Sequence, residues 1–285
     1  MQTPNKNTTL LFDAHLDTVG VIVTENCPGG FVKAAKLGSI DPRTLPAAEL
    51  TFTAPDGTRV FGVVNALAPH LTGGSGEMSK VEDLYIDTGG VELPAGTPGV
   101  FRQLTADNVQ LSAPYLDNRV GCAVLLDVMR RLNDTASGLD LAYLFSTQEE
   151  VGLRGAGPGA YSAEADYCVV VDATFAKSPF DSGYETFTAG AGITIAVGPN
   201  MHRGFTAKLR AVAERHGIPY SVEVLHSSSG TNAERIQLSR FGVATALVSV
   251  PVRYMHTPAE FADPRDIQAA SDLLYYLVTD WSDGE

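Results

Sequence analysis

Hydrophobic and polar positions alternate over short runs between residues 21 and 109, and a two-residue period is typical of β-strands. The runs ELTFTA and VFGVV show this most clearly, and PDGTR connects them. Asp56-Gly57 within that connection is typical of a tight β-hairpin. The stretch is also rich in Gly, Pro and Thr. The pattern therefore predicts a small all-β unit over residues 21–109.

From residue 110 onward, apolar runs of strand length alternate with helical patterns. Asn118–Leu132 carries apolar positions at helical spacing, and Asp117 is placed to cap this helix. The last helix is predicted to begin after Asp263, with Pro264 in its first turn. The other predicted elements are strands at 141–146, 167–171, 221–225 and 244–250 and helices at 204–215 and 232–240. Such alternation predicts an α/β sheet covered by helices.

Leu10–Ala14 has the pattern of a further apolar strand of the same sheet. This strand precedes the all-β unit in the chain, and the remaining strands of the sheet follow that unit. The all-β unit is therefore an insertion into the sheet domain. The sequence thus predicts a layered αβα domain formed by residues 1–20 and 110–285, with residues 21–109 inserted as a small all-β domain.

The composition excludes several classes of protein. Hydrophobic residues make up 44% of the 285 positions and charged residues 19%, which supports a folded core. The net charge of −13 argues against nucleic acid or an anionic membrane surface as a partner. No apolar run reaches the roughly 18 residues of a membrane span, and the N-terminus does not have the pattern of a signal peptide. Three cysteines without a CxxC pair favour a reducing, cytoplasmic setting.

Polar residues suited to metal-binding or acid–base chemistry follow several predicted strands or begin a helix. They are His15 and Asp17 after the first strand, Asp117 at a helix start, Glu149 and Glu150 after LAYLFST, Asp172 after CVVV, and His256 after VSVPVRYM. In open α/β sheets, ligands bind in the crevice beyond the carboxyl ends of the strands. We therefore expect these side chains to converge on one crevice.

These residue types suit a pair of divalent metal ions. Imidazoles and carboxylates are typical zinc ligands, and the three negative charges of Asp117, Glu150 and Asp172 match two ions better than one. A shared carboxylate would hold the ions about 3.5–4 Å apart. Asp17 is placed to orient the ring of His15.

Glu149 and Glu150 are expected to have different roles. Adjacent side chains of an extended chain point to opposite sides, so the two are not expected to bind one ion in the same way. One can bind an ion while the other serves as general base.

Each of these residues also has a simpler interpretation. Asp117 could serve only as a helix cap, and Asp172 could only begin a turn. His15 and His256 could be a strand-end and a surface histidine, and the glutamate pair could lie in a solvated loop. Taken together, these interpretations do not explain why all of these polar residues follow a predicted strand or begin a predicted helix.

Nearly the whole chain resembles the dinuclear-metal aminopeptidases of clan MH, in the family that contains glutamyl and tetrahedral aminopeptidases. The matching stretches are AHLDTVG, GSIDPR, APHL, LDNRVGCAVLLDVM, FSTQEEVGLRGA, VVDATFA, AVGPNMHR and IQLSRFGVATALVSVPVRYMHTP, followed by the final helix. The resemblance implies that His15 and Asp172 hold one ion, that Glu150 and His256 hold the other, and that Asp117 bridges them. Zinc or cobalt is the implied metal.

The resemblance also implies the activity. Glu149 would be the general base, acting on a water that bridges the two ions. Asp17 is counted with it as a catalytic residue because it is expected to orient His15. The implied reaction removes N-terminal residues from short peptides. The layered domain would be the metallopeptidase catalytic domain and the all-β unit its inserted dimerisation domain, so peptide substrates and further copies of the chain are the expected partners.

Two alternatives retain part of this interpretation. The same metal centre could serve a related deacylase, carboxypeptidase or glucanase. The chain could instead be an inactive, shortened paralogue that acts as an assembly module, because family members begin with a further helix and strand before the AHLD motif. A second departure is Asn232, which stands in GTN where the family usually has GTD and therefore lacks a negative charge.

Overall fold

The computed structural model describes residues 7–66, 70, 80–102, 106–107, 111–133, 135, 138–179, 183 and 185–281. The strands are β1 (Thr8–His15), β2 (Gly20–Cys27), β3 (Phe31–Leu37), β4 (Glu49–Thr53), β5 (Arg59–Val64), β6 (Ile86–Asp87), β7 (Pro98–Phe101), β8 (Ala106–Asp107), β9 (Leu111–Ala113), β10 (Leu139–Ser146), β11 (Tyr167–Phe175), β12 (Ile193–Val197), β13 (Tyr220–Val224), β14 (Ala244–Arg253) and β15 (Glu260–Ala262). The helices are α1 (Leu116–Leu132), α2 (Ala156–Ala163), α3 (Arg203–His216), α4 (Ala233–Ile236) and α5 (Pro264–Thr279).

Nine of the described strands form one sheet. Along its main path they follow the order β10-β1-β11-β14-β15-β9-β8, while β12 pairs with β14 and β13 pairs with β12. The neighbours β10, β1, β11 and β14 run parallel to one another. The carboxyl ends of these four strands therefore lie at one edge of the sheet.

Helices pack on both faces of this sheet. In β1, Leu10 and Phe12 pack in the same core as residues of α1, α3 and α5, whereas Leu11 packs with residues of α2 and α4. All three side chains are at most 1% exposed. The predicted layered α/β fold is confirmed, and the double coverage explains why its central strands are apolar on both faces.

The strands β2 to β7 close into a separate antiparallel barrel in the order β2-β3-β6-β5-β4-β7. Leu50, Phe52 and Phe101 belong to a core of the barrel's own. β4 and β5 form the predicted hairpin, and Gly57 in its turn has a φ of 85°, a left-handed conformation that favours glycine. The barrel confirms the all-β unit expected from the sequence.

The start of α1 differs from the sequence prediction, because Asp117 is not the helix cap. Its backbone is non-helical, with φ −81° and ψ 105°. Asn118 caps the helix instead, since its Oδ1 accepts a hydrogen bond of 3.0 Å from the N–H of Gly121. The Asp117 side chain therefore has no capping role and turns to other partners.

The helix predicted over 232–240 is shorter than expected and ends at Ile236, as α4. Arg240 has a φ of 54°, which no α-helix accommodates. The chain then turns into β14, and the N–H of Val243 donates to the carbonyl of Gln237. By contrast, α5 begins as predicted, with Asp263 Oδ1 accepting from the N–H of Arg265.

Two further features bear on the setting of the protein. Within the part of the chain that the structure describes, no helix is long and apolar enough to cross a membrane. All three cysteines are unpaired, and Cys122 and Cys168 are buried.

Candidate metal centre

Parallel strands bring histidine and carboxylate side chains to one edge of the large sheet. His15 ends β1 and pairs with Ser146 at the end of β10. On the other side, Asp13 pairs with Val170 of β11, and the same register continued by two residues sets His15 beside Asp172. His15 is 2% exposed and Asp172 is 5% exposed. The two paired strands thus bury an imidazole against a carboxylate.

His15, Asp117 and Asp172 form a first cluster at this edge. His15 Nε2 lies 3.2 Å from Asp117 Oδ1 and 3.6 Å from Asp172 Oδ1. One potential ligand atom from each residue lies within 4.8 Å of the other two. The three side chains therefore face one small volume.

Asp117, Glu150 and His256 form a second cluster. His256 Nε2 lies 3.2 Å from Asp117 Oδ2 and 3.5 Å from Glu150 Oε2. The ligand atoms of this group also lie within 4.8 Å of one another. The two oxygens of Asp117 thus face two different histidines, and the carboxylate is shared by both clusters.

Backbone carbonyls orient both imidazole rings. Nδ1 of His15 lies 3.0 Å from the carbonyl oxygen of Asp17, and Nδ1 of His256 lies 2.8 Å from that of Ser39. Because a carbonyl only accepts hydrogen bonds, Nδ1 carries the hydrogen in each ring. In a neutral ring, Nε2 then presents a lone pair to the carboxylates. That arrangement is repulsive unless a proton or a metal cation lies between them.

Ser39 lies in a segment that leaves the barrel after β3, so the barrel contributes to the second cluster. Its neighbour Gly38 has a φ of 76°, and a Cβ added there would lie 2.9 Å from Val19 and 3.3 Å from Glu150 Oε2. A side chain at position 38 would therefore crowd Glu150. The backbone of this segment packs directly against the site.

The charges in the site shift its pKa values strongly. Burial alone would lower the pKa of His15, but the carboxylates around it, Asp117 first, raise that pKa far above its ordinary value. Burial is likewise outweighed at His256, where Asp117 and Glu150 raise the pKa to about 9. Burial and the charge of Asp117 raise the pKa of Glu150 to about 7. The site formed by the two clusters thus favours bound positive charge.

The residues present fit two divalent metal ions. Asp117 Oδ1 and Glu150 Oε1 are buried and have no hydrogen-bond partner among the described residues. Imidazole nitrogens and carboxylate oxygens are the donor set that zinc and similar ions prefer. One ion in each cluster would occupy these oxygens and the Nε2 lone pairs of both histidines.

Asp17 holds the loop that carries the glutamate pair. Its Oδ1 accepts from the N–H of Glu149 at 3.0 Å, and its Oδ2 accepts from the N–H of Glu150 at 3.2 Å. The same carboxylate lies 3.6 Å from Nδ1 of His15. Its hydrogen bonds outweigh burial and lower the pKa of Asp17. The Asp17 carboxylate therefore positions the two glutamates directly. The ring of His15 is held mainly by the backbone carbonyl of Asp17.

Glu149 stands beside the two clusters without belonging to either. It is 9% exposed, and its carboxylate lies within 4.8 Å of ligand atoms of His15 and Glu150. Burial and the charge of Asp172 raise the pKa of Glu149 to about 9. A carboxylate in this environment takes up a proton readily.

Sequence reasoning missed Glu260, which is 1% exposed. Its Oε2 accepts from the N–H of Asp117 at 2.9 Å, and its Oε1 accepts from the N–H of His256 at 2.7 Å. Burial raises the pKa of Glu260 to about 7. One carboxylate therefore fixes the backbone of two residues of the second cluster. The only sequence signal was a glutamate at the inward position of a very short strand.

Asn232 lies behind the first cluster. Its Nδ2 donates to Asp13 Oδ2 at 2.9 Å and to Ser146 Oγ at 2.8 Å. Asn232 is 1% exposed and Asp13 is fully buried, and burial raises the pKa of Asp13 to about 7. An aspartate at position 232 would set a second buried carboxylate against Asp13. The amide is therefore the group that suits these neighbours.

Both clusters open into a cavity of about 580 Å³. Beyond the candidate ligands, its wall includes Thr174, Phe175 and Glu223. Oε1 of Glu223 accepts from the Thr174 hydroxyl at 2.8 Å, and Oε2 accepts from the Thr194 hydroxyl at 2.7 Å. Burial raises the pKa of Glu223. Among the described residues, no lysine or arginine lines this cavity.

Known proteins resemble the chain over most of its length. The M42 glutamyl aminopeptidase family matches residues 1–273. Lysyl aminopeptidase of Pyrococcus furiosus is 32% identical over 278 residues, which cover 93% of the chain and 80% of that protein. An aminopeptidase of the archaeon Desulfurococcus kamchatkensis superposes with a TM-score of 0.87 at 28% identity, covering 96% of the chain and 80% of its own.

A second solved structure has a similar fold and a described assembly. The TET1 peptidase of Pyrococcus horikoshii, which can assemble into a tetrahedron or a large octahedral shell, superposes with a TM-score of 0.81 at 25% identity. The match covers 96% of the chain and 84% of that peptidase. The family match spans both sheets and all the residues of the two clusters, and we conclude that the chain belongs to the M42 glutamyl aminopeptidase family.

Proposed function

We propose that this protein is a metal-dependent aminopeptidase that removes N-terminal residues from short peptides at a pair of divalent ions. Its family and relatives make it a hydrolase that acts as an exopeptidase. One observation carries the proposed metal centre. The two oxygens of Asp117 face His15 and His256 in two adjoining clusters.

In this proposal the five ligands divide between the clusters. His15 and Asp172 hold one ion, Glu150 and His256 hold the other, and Asp117 bridges them. The three carboxylates nearly balance the charge of two divalent ions. Zinc or cobalt suits this donor set. When bound, the ions would polarise the scissile carbonyl and lower the pKa of a water between them.

Glu149 is the proposed general base. It lies at the edge of both clusters, and burial with the charge of Asp172 raises its pKa, which makes the carboxylate a stronger base; bound divalent ions would keep it ionised before it accepts a proton. It takes a proton from the attacking water and returns it to the departing amine. Asp17 keeps Glu149 and Glu150 in place through their backbone N–H groups.

We assign residues 21–109, which include nearly all of the barrel and also β8 of the large sheet, to assembly, and residues 1–20 with 110–285 to catalysis. Phe61, Tyr85 and Val91 of the barrel segment are between 41% and 46% exposed, which is apolar surface that a second copy can cover. A homo-oligomer in the cytoplasm, acting on peptides, is the resulting proposal. Light scattering that finds only 30.2 kDa monomers at micromolar concentration would contradict it.

Metal reconstitution with a set of blocked and free substrates tests the function. The chelated protein should be inactive, and zinc or cobalt should restore it with two ions per chain by elemental analysis. It should cleave amino-acid p-nitroanilides but spare their N-acetylated forms and cellulose oligomers. A deacylase would instead release acetate from the N-acetylated forms, and a glucanase would cleave the cellulose oligomers. One ion at saturation would overturn the paired site.

The geometry favours this activity over an inactive assembly module. Both clusters are complete, and Glu149 and Glu260 are buried beside them. In a chain that no longer catalysed a reaction, nothing would offset the free-energy cost of burying these charged side chains.

A further inference from the structure

We propose that Glu223 determines substrate specificity by binding the cationic side chain of an N-terminal lysine or arginine. This inference rests on the proposed aminopeptidase function and names the substrate class of the same site. The observations behind it are the place of Glu223 in the cavity wall, the absence of a cationic partner for it among the described residues, and the composition of the surrounding wall.

Glu223 lies at a suitable distance from the proposed metal centre. Thr174 is two residues beyond Asp172 on β11, so both side chains leave the same face of the strand. Two residues of a strand span roughly 6.6 Å. The Glu223 carboxylate is hydrogen-bonded to the Thr174 hydroxyl and therefore lies about one extended side chain away from the cluster. A residue whose carbonyl carbon is held at the clusters can reach it with its side-chain tip.

The carboxylate is held in place, but within the described part of the chain no cationic side chain forms an ion pair with it. Its hydrogen-bond partners are the hydroxyls of Thr174 and Thr194, one on each oxygen. The charges that act on it most strongly are those of Glu185 and Asp172, which are also negative. Burying a carboxylate without a cation is costly, and hydroxyl groups repay only part of that cost. A bound ammonium or guanidinium group would complete the pairing.

The rest of the wall suits the same ligand. Phe175 is 50% exposed and can pack against the aliphatic stem of lysine or arginine. The described lining residues include no lysine or arginine that could pair with an acidic side chain. A glutamate at the peptide N-terminus would instead face like charge.

Lysine and norleucine p-nitroanilides provide the test, because norleucine has nearly the same shape without the ammonium group. The metal-loaded protein should cleave the lysine substrate with a kcat/KM about 10- to 100-fold above that of norleucine, as expected for one charged hydrogen bond. In Glu223→Gln this preference should disappear, with the norleucine value changed by less than about threefold. Glu214→Gln is the control. Glu214 accepts a hydrogen bond from the hydroxyl of Tyr220, which lies on the same strand as Glu223, but Glu214 itself does not line the cavity.

A binding measurement separates this inference from the proposed reaction. Calorimetry should show that metal-loaded protein binds lysine amide more tightly than norleucine amide, and that Glu223→Gln removes the difference. If nothing is hydrolysed but this difference holds, the reaction is wrong and the subsite stands. If peptides are hydrolysed but Glu223→Gln leaves the lysine-to-norleucine ratio unchanged while metal content and circular dichroism match the parent, the subsite is wrong. Equal binding of both amides by the parent would also overturn it.

Discussion

Replacing Glu260 by glutamine should weaken metal binding without removing a ligand. The carboxylate accepts from the N–H of Asp117 with one oxygen and from the N–H of His256 with the other. Glutamine keeps one acceptor oxygen but presents an NH₂ group to the second N–H. One of the two backbone groups is then left without a partner inside the protein.

The size of the effect follows from this geometry. A hydrogen bond to a charged group contributes about 1.5–3 kcal/mol, and 1.4 kcal/mol corresponds to a tenfold change in an equilibrium constant. Losing one such bond should therefore weaken binding by about 10- to 100-fold, the range found for partners of metal ligands in general. His256 belongs only to the second cluster, so the ion proposed there should be the weaker-bound one.

Calorimetric titration of the metal-free protein with zinc at about pH 8 is the assay, since Glu260 is ionised above its pKa of about 7. The parent should bind two ions, and Glu260→Gln should bind one normally and the other weakly, with activity recovering at high metal concentration. Glu49→Gln, which alters an exposed ion pair with Arg102 on the barrel, is the control. Two ions bound by Glu260→Gln with the parent's affinity would refute the positioning role.

Two other predictions concern the glutamate pair and the response to pH. Glu149→Gln should keep both ions while turnover falls about 10²–10⁴-fold, whereas Glu150→Gln should lose one ion and recover partly in excess metal; metal analysis beside steady-state kinetics would show whether the roles are reversed. The metal-free protein should become less stable from about pH 6 to about pH 9, because folding raises the pKa values of Glu149, Glu150 and His256 and the folded state therefore binds more protons than the unfolded chain. Bound zinc should flatten this dependence, and a melting temperature of the metal-free protein that rises with pH would contradict it.

The sequence predicted most of the architecture because local patterns determine it. The change from alternating to continuous apolar runs separates the barrel from the layered sheet, and Asp263-Pro264 marks the start of α5 in both sequence and structure. His15 and Asp172 stood out as candidates because each is a polar residue directly after an apolar run, although β11 continues beyond Asp172 to Phe175. Their convergence follows from the parallel register of β1 and β11.

Residues whose roles depend on distant contacts were not predictable in the same way. Glu260 contacts Asp117 across 143 positions, and Ser39 contacts His256 across 217. Neither stands in a local pattern that indicates such a role. Asp117 was predicted to be a metal ligand, and a local rule also assigned it the capping role that Asn118 performs. Local propensity could not separate these two neighbours.

The contact between the Ser39 carbonyl and His256 makes the inserted barrel inseparable from the chemistry of the larger unit. A gene from which residues 21–109 had been deleted would still encode all five proposed ligands and the described strands of the large sheet other than β8. It would nevertheless lack the acceptor that sets the ring orientation of one of them and the Gly38 backbone that packs beside Glu150. The barrel is therefore not an interchangeable module. A barrel exchanged between relatives should support activity only when the recipient protein keeps its own segment corresponding to Gly38-Ser39.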